Sequence, residues 1–435
     1  MALNIVYIHT HDTGRFISPY GRAVPTPRLQ QLALDGVLFR RAFCAAPTCS
    51  PSRAALLNGN WPHENGMIGL VHRGARLNDP SQHLAHVLTQ AGWESSLIGL
   101  QHFAPQEDLA LLGYTAIPEV ASNEASAVGP VAANWLRQRE RGKPFFLSVG
   151  FSETHRPYPD VHPSDDERYL QVPPGFPDTA DMRMDMAQLH TSLRRVDTAV
   201  GEVLDALVAA GYGNDTLVIF TTDHGLPLPD AKCNLDDAGT GVALIMWGPD
   251  GFSGGKVVDA IVSQLDLFPT IMQVAGLPEP EWLRGTSLLP LIKGTADRIH
   301  EEVFAEVTCH AAYEPMRSVR TDRWRFVRRF DRASGRVLAN VDDSAAKRLF
   351  VANGWHRHTP PERALHDLLL DPEERTNLID RPDCAATAYE LETRLLAWMT
   401  ETNDPLLEPD WSPPGHLRLD DRNILLRVDA TMSPT

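Results

Sequence analysis

The stretch NIVYIHTHD, residues 4–12, sets the pattern on which most of the chain is built. A run of β-branched and aromatic residues is followed directly by polar ones, which is typical of a buried strand that ends in a polar loop. The pattern recurs at 144–151 and 215–225, and helix-like runs occupy 26–36 and 186–211. This alternation predicts an α/β fold, a large and mostly parallel mixed sheet sandwiched by helices. Ligands of such sheets bind at the carboxyl ends of the strands, so one cleft is expected there.

The sequence pattern changes after about residue 300. Residues 315–331, PMRSVRTDRWRFVRRFD, alternate in polarity like a hairpin of half-buried strands, and a helix is expected near 387–400. We therefore predict a large α/β domain over 1–300. A smaller C-terminal α+β subdomain with an antiparallel sheet and an extended tail is predicted over 301–435.

Composition narrows the classes of function. The chain has 435 residues, 43% of them hydrophobic, and a formal net charge of −16, which disfavours nucleic acid and anionic membranes as partners. No apolar run is long enough to span a bilayer and no signal-peptide pattern is seen, so a cytoplasmic protein is expected. A homo-oligomer is a possible assembly. The five cysteines are scattered and include no Cys-x-x-Cys pair, which argues against a disulfide framework and a structural zinc site.

One cysteine stands at the start of a helix-like run, in CSPSRAALLNG at residues 49–59. Taken alone, Cys49 is either a nucleophile or a small buried residue. The Cys-x-Pro-x-Arg run and the apolar residues after it resemble the signature of the type I sulfatases, within the alkaline-phosphatase superfamily. The resemblance implies that a formylglycine-generating enzyme oxidises Cys49 to formylglycine, whose hydrate attacks sulfur. It also implies that Arg53 bridges that group and the metal-site carboxylates.

The same resemblance implies a metal site. In the family, a pair of acidic residues follows the first strand and an Asp-Asn or Asp-His pair follows a later one. The corresponding residues here are His11 with Asp12, and Asp223 with His224. Together with modified Cys49 they are expected to hold one divalent cation. Calcium is the usual ion of the family, but manganese is plausible because imidazole suits it better than calcium.

Three further residues match positions that surround the sulfate group and the formylglycine in the family. His102, in GLQHF, matches a histidine that touches the formylglycine, but the family's neighbouring lysine is replaced by Leu100. His155 matches a histidine that protonates the leaving group, and Lys232 matches a sulfate-binding lysine. The resemblance therefore implies a catalytic set of Cys49 and Arg53 with His102, His155 and Lys232.

A loop, LVHRGARL, places His72 and Arg73 where they are expected to bind substrate; a solvated loop is an equally good interpretation. The resemblance extends over nearly the whole chain and is strongest to bacterial sulfatases like the heparan N-sulfatases (sulfamidases). The expected activity is hydrolysis of sulfate esters, on an aryl sulfate, a sulfated sugar or an N-sulfo group. Two alternatives stay open, a phosphonate or phosphate monoester hydrolase and a non-catalytic binder of sulfated ligands with unmodified Cys49.

Overall fold

A mixed eight-stranded sheet forms the centre of the protein, in a computed structural model that describes residues 3–331 and 334–425. Its strands are β1 (Asn4–Thr10), β2 (Val37–Phe43), β3 (Glu94–Gly99), β4 (Phe145–Gly150), β5 (Thr216–Thr222), β6 (Gly241–Val242), β7 (Leu244–Trp247) and β8 (Lys256–Ser263).

The strand order is β3-β4-β1-β5-β7-β2-β6, with β8 paired to β2. Strands β3, β4, β1 and β5 are parallel, whereas β7 runs antiparallel to both β5 and β2. The prediction of a mostly parallel mixed sheet is confirmed. Because Thr10 of β1 lies opposite Thr222 of β5, the residues that follow these two strands emerge side by side.

Helices cover both faces of the sheet, as predicted. On β1, Ile5 and Tyr7 pack in one hydrophobic cluster, while Val6 and Ile8 pack in another on the opposite face, which follows from the two-residue period of a strand. The described α-helices are α1 (Pro27–Asp35), α2 (Cys49–Asn58), α3 (Pro62–Asn65), α4 (Leu84–Gln90), α5 (Ala125–Gln138), α6 (Ala180–Ala209), α7 (Asp237–Thr240), α8 (Leu267–Ala275), α9 (Leu289–Ile292), α10 (Ala345–Ala352) and α11 (Ala385–Glu401).

Helix α6 begins at Ala180, six residues before the predicted start at residue 186. The hydroxyl of Thr179 accepts a hydrogen bond from the backbone N–H of Met182, and this N-cap fixes the earlier start. The prediction missed the first turns because the polar residues there obscure the apolar period. Within the described residues, no helix is both long and apolar enough to cross a membrane.

A second sheet is antiparallel and has four strands in the order β12-β11-β10-β9. The predicted hairpin is β10–β11, and the helix expected near 387–400 is α11, so both predictions are confirmed. The strands of this second sheet are β9 (Glu302–Cys309), β10 (Tyr313–Thr321), β11 (Trp324–Arg329) and β12 (Arg363–Asp367). The domain boundary between residues 300 and 301 stays a prediction.

The predicted extended tail folds back onto the rest of the protein. The backbone N–H of Arg418 donates to the carbonyl of Arg73 over 2.8 Å, and that of Asp420 donates to the carbonyl of Ala311 over 2.8 Å. Residues 426–435 of the predicted tail lie outside the described residues.

The second sheet is held to the first partly by a buried ion cluster around Arg317. Its guanidinium lies 3.2 Å from Glu306 and 2.5 Å from Asp404, and Glu306 also lies 2.6 Å from Nδ1 of His63, which precedes β9 by more than two hundred residues. Burial opposes a charge on His63, but Glu306 outweighs it and raises the pKa of that imidazole. The two carboxylates thus share the Arg317 guanidinium, and Glu306 also contacts the His63 imidazole.

Removing Arg317 should destabilise the protein strongly. Arg317→Ala leaves Glu306 and Asp404 buried without their shared guanidinium, and breaking a buried pair in this way costs about 3–5 kcal/mol. The free energy of unfolding in denaturant measures the loss. A suitable control is Arg298→Ala, because Arg298 forms only an exposed pair with Glu301, where the expected change is below about 1 kcal/mol. Equal losses in the two variants would contradict this account of the cluster.

Candidate active site

The carboxyl ends of β1 and β5 bring the two predicted ligand pairs together. Asp223 Oδ1 accepts a hydrogen bond from the backbone N–H of Asp12 over 2.8 Å and another from that of His224 over 2.9 Å. His11 Nδ1 lies 2.7 Å from Asp12 Oδ1 and 3.4 Å from Asp223 Oδ2. The two pairs therefore form one compact polar group, although they are separated by more than two hundred residues in sequence.

Cys49 completes this group from the first turn of α2. One possible ligand atom from each of His11, Asp12, Cys49, Asp223 and His224 lies within 4.8 Å of all the others, and all five residues are buried. Burial raises the pKa of the Cys49 thiol well above its ordinary value; Lys232 opposes this rise, and the nearby carboxylates add to it. An unmodified Cys49 would thus be a protonated, weakly nucleophilic thiol.

The donor set fits a divalent cation, as the orientation of His224 shows. Its Nδ1 lies 3.1 Å from the carbonyl oxygen of Gly225, which can only accept, so Nδ1 carries the proton. Nε2 then presents a lone pair, and it is buried without a hydrogen-bond partner, 3.2 Å from Asp12 Oδ1. Two electron-pair donors that face each other at this distance are the arrangement that a bound cation would satisfy.

The ionisation of the other ligands is also suited to a cation. Burial lowers the pKa of His11 to about 4, so the ring is neutral and can ligate through a lone pair. Burial alone would raise the pKa of Asp12, but the charge of Lys232 helps to hold it well below its ordinary value. Burial opposes ionisation of Asp223 too, but the Arg53 guanidinium helps to lower its pKa. Both carboxylates are therefore ionised.

Arg53 and Lys232 lie against these carboxylates. Arg53 Nη2 donates to Asp223 Oδ2 and to the carbonyl of Thr10, each over 2.9 Å. Lys232 Nζ lies 2.9 Å from Asp12 Oδ2 and 2.9 Å from Asp342 Oδ2. The structure thus brings both predicted cationic residues to the ligand group.

Three further histidines line the outer side of the group. The His155 ring meets the His11 ring edge-on at 4.5 Å, and its Nε2 lies 3.9 Å from Asp12 Oδ2. The His102 ring lies 5.5 Å from the His11 ring and stacks on His72, with 3.4 Å between His102 Nε2 and His72 Nδ1. His72 therefore reaches the site through His102.

Arg73 is engaged elsewhere. Its guanidinium binds Asp420 of the C-terminal tail in a bidentate ion pair, with contacts of 3.0 and 2.7 Å, and also donates to the carbonyl of Arg418. The structure thus brings His72, but not the charged end of Arg73, into contact with the other predicted site residues. A role for either residue in substrate binding stays a prediction.

Three residues of the site were not found from the sequence. The His9 ring accepts a hydrogen bond at Nδ1 from Arg53 over 2.6 Å, Asp342 contacts Lys232, and His310 Nε2 lies 3.9 Å from Cys49 Sγ. Burial and the adjacent Arg53 lower the pKa of His9, so it is neutral and can accept. The sequence feature that could have pointed to His9 is its position as a histidine within an otherwise apolar, buried strand.

Comparison with protein families agrees with this site. The sulfatase family model matches residues 3–277, and the model described as "N-sulphoglucosamine sulphohydrolase, C-terminal" matches residues 231–345. Human N-sulphoglucosamine sulphohydrolase is 32% identical, with 88% of this chain and 87% of that protein covered. An ulvan-active sulfatase of Formosa agariphila is 28% identical over 88% of this chain and 77% of its own length.

The chain belongs to the sulfatase family and is a sulfuric ester hydrolase. Membership implies a divalent metal and a formylglycine, and the five-residue group around Cys49 is a possible site for both.

Solved structures share the fold. A protein solved with its substrate D-glucosamine-2-N,6-O-disulfate matches with a TM-score of 0.76 at 17% identity, covering 95% of this chain and all of that one. A phosphonate monoester hydrolase of Agrobacterium radiobacter matches with a TM-score of 0.69 at 20% identity, over 92% of this chain and 96% of that one. These likenesses show that the chain shares its fold with both proteins.

Proposed function

We propose that the protein hydrolyses the sulfate group of a sulfated saccharide, with an N-sulfated glucosamine unit as the preferred substrate. The observation that carries the proposal is the compact group of His11, Asp12, Cys49, Asp223 and His224 at the sheet edge. The choice of sugar is supported by the relative at 32% identity, which is an N-sulphoglucosamine sulphohydrolase, and by the C-terminal family model of the same name.

In this proposal, His11, Asp12, Asp223 and His224 hold the cation. The cation supplies Lewis acidity, and the hydrated aldehyde made from Cys49 by a formylglycine-generating enzyme supplies a hydroxyl nucleophile. Arg53 keeps Asp223 in place through its 2.9 Å contact. Lys232 lies 2.9 Å from Asp12 and provides a buried positive charge for the sulfate oxygens.

Proton supply to the leaving group is assigned to His155. Its Nδ1 lies 2.5 Å from the carbonyl oxygen of Arg156 and therefore carries a proton, which leaves Nε2 to face Asp12 and the site. The side chain is 25% exposed, whereas those of Asp12 and His224 are fully buried. His155 is thus placed between the ligand group and solvent, where a leaving group would depart, and a protonated Nε2 can donate to it.

His155→Ala should slow substrates according to their leaving groups. An alkyl sulfate needs protonation as its alcohol leaves, whereas nitrophenolate leaves without it. Loss of a general acid should therefore cost the alkyl sulfate about 10²-fold or more in kcat and nitrophenyl sulfate far less. Steady-state kinetics on both esters measure the difference. The same slowing for both esters would show that His155 only positions the substrate.

The ion is proposed to have transition-metal character, with manganese as the candidate. Four side chains surround Cys49 in the ligand group, and two of them, His11 and His224, are imidazoles. Calcium prefers an all-oxygen shell, whereas manganese and zinc accept mixed nitrogen and oxygen ligands. Calcium remains the family's usual ion, so the binding of manganese and of calcium to this site can be compared directly.

Metal exchange tests the ion. The protein is stripped with a chelator and then supplied with calcium, manganese or zinc, and bound metal, melting temperature and rate are measured. Manganese should restore all three at lower concentration than calcium, because two of the ligands are imidazoles. The melting temperature reports binding, since a ligand that binds only the folded state raises it. As a control, His11→Asp should shift the preference toward calcium. Restoration by calcium alone would refute the histidine argument without affecting the sulfatase assignment.

A substrate panel tests the activity. Glucosamine N-sulfate, glucosamine 6-sulfate, nitrophenyl sulfate and an aryl phosphonate monoester are compared by kcat/KM, with Cys49→Ala as the control that removes the nucleophile while retaining the fold. The N-sulfated sugar should be the best substrate, and Cys49→Ala should abolish turnover of every compound. Faster hydrolysis of the phosphonate would favour the monoester hydrolase, and tight binding of sulfated sugars without any turnover would favour a binder.

A further inference from the structure

The second sheet reaches the active site at the turn between β9 and β10. The backbone of this turn is fixed from three directions: Cys309 N–H donates to the carbonyl of Ile68 over 3.0 Å, Ala312 N–H donates to Asn340 Oδ1 over 2.8 Å, and the carbonyl of Ala311 accepts from Asp420 N–H. Such a turn can present a side chain in one fixed place. The side chain that it presents is His310.

His310 faces the residue that defines the site. Its Nε2 lies 3.9 Å from Cys49 Sγ, which is within hydrogen-bonding range for sulfur, and the two residues are only 2% and 1% exposed. The Cys49 Sγ is also part of the possible metal group, so the side chain at position 49 lies between that group and His310. The contact is therefore built into the interior and is screened from water.

The family resemblance assigns a similar contact to His102, but the neighbours of that ring are different. His102 stacks on His72 and lies 5.5 Å from the His11 ring centre. The histidine within hydrogen-bonding range of Cys49 is His310, which comes from the second sheet. The two histidines thus offer different partners for the group at position 49.

We propose that His310 is a catalytic residue of this sulfatase that hydrogen-bonds the side chain at position 49 and holds it in its hydrated form. The proposal rests on the proposed function, because it concerns the oxidised residue. A hydrated aldehyde carries hydroxyl groups that donate and accept hydrogen bonds, whereas a free aldehyde can only accept. A partner that accepts a hydrogen bond from a hydroxyl group therefore shifts the equilibrium toward the hydrate.

The shift can be measured without turnover. Hydrazide reagents react with the free aldehyde, so their labelling rate reports the free fraction. Losing one ordinary hydrogen bond to the hydrate should raise that fraction, and with it the labelling rate, about fivefold. In turnover the same loss should lower kcat more than it changes KM, because His310 contacts the residue at position 49, which supplies the nucleophile.

The experiment compares variants of the metal-loaded enzyme, after mass spectrometry of the peptide with residue 49 has confirmed equal oxidation. His310→Ala and His310→Phe both remove the nitrogen, and the second keeps a ring if the first fails to fold. His310→Gln retains a hydrogen-bond acceptor, the amide oxygen Oε1, and should recover much of the slow labelling. His102→Ala is the comparison variant for the other histidine, and Arg298→Ala, in an exposed ion pair outside the site, is the control expected to label at the wild-type rate.

The outcomes separate the two histidines. Fast labelling in both nitrogen-free His310 variants, with rescue by Gln and no change in His102→Ala, supports the proposal. Wild-type labelling in the His310 variants, or faster labelling only in His102→Ala, overturns it and leaves the sulfatase activity intact. Absence of the aldehyde in active wild-type protein would overturn this proposal and the formylglycine mechanism together.

Discussion

Two ionised carboxylates, Asp12 and Asp223, are buried side by side at the end of the central sheet, and much of the structure serves to balance them. Both side chains are fully buried. An uncompensated buried charge costs several kcal/mol, and a second one beside it adds repulsion. Arg53 from α2 and Lys232 from the loop after β5 supply compensating charge at 2.9 Å each. The lone pair of His224 faces the same group and leaves room for a cation among the ligands.

The same constraint brings residues next to the second sheet into contact with the candidate active site. Lys232 is shared between Asp12 and Asp342. Asp342, which follows β11, therefore helps to fix the Lys232 ammonium group beside the first sheet. His310 approaches Cys49 from the same side, and the C-terminal tail binds the backbone of both the His72 loop and the β9–β10 turn. The buried cluster around Arg317 joins β9 and β10 of the second sheet to His63 of α3. The candidate active site and the packing of the second sheet thus both depend on a small number of buried charges.

How much of the structure could be predicted depends on whether a feature is encoded by neighbouring residues in the sequence. Buried strands with polar ends are local patterns, so β1 and β5 and the ligand pairs after them could be located directly. The group around Cys49 could be assembled because parallel strands end at one edge and the Cys-x-Pro-x-Arg run resembles a known signature. The Arg73–Asp420 pair joins residues 347 positions apart, and no pattern in either segment indicates the other. For the same reason Asp342 and His310 were missed.

The most direct test of this account is the chemical state of position 49 in active protein. The peptide that contains Cys49 is analysed by mass spectrometry on the same sample whose sulfatase turnover is measured, after expression with and without a formylglycine-generating enzyme. The buried site and its protonated thiol predict that activity rises in proportion to the fraction of the peptide that carries an aldehyde. Full turnover by protein whose Cys49 remains an unmodified thiol would contradict the account.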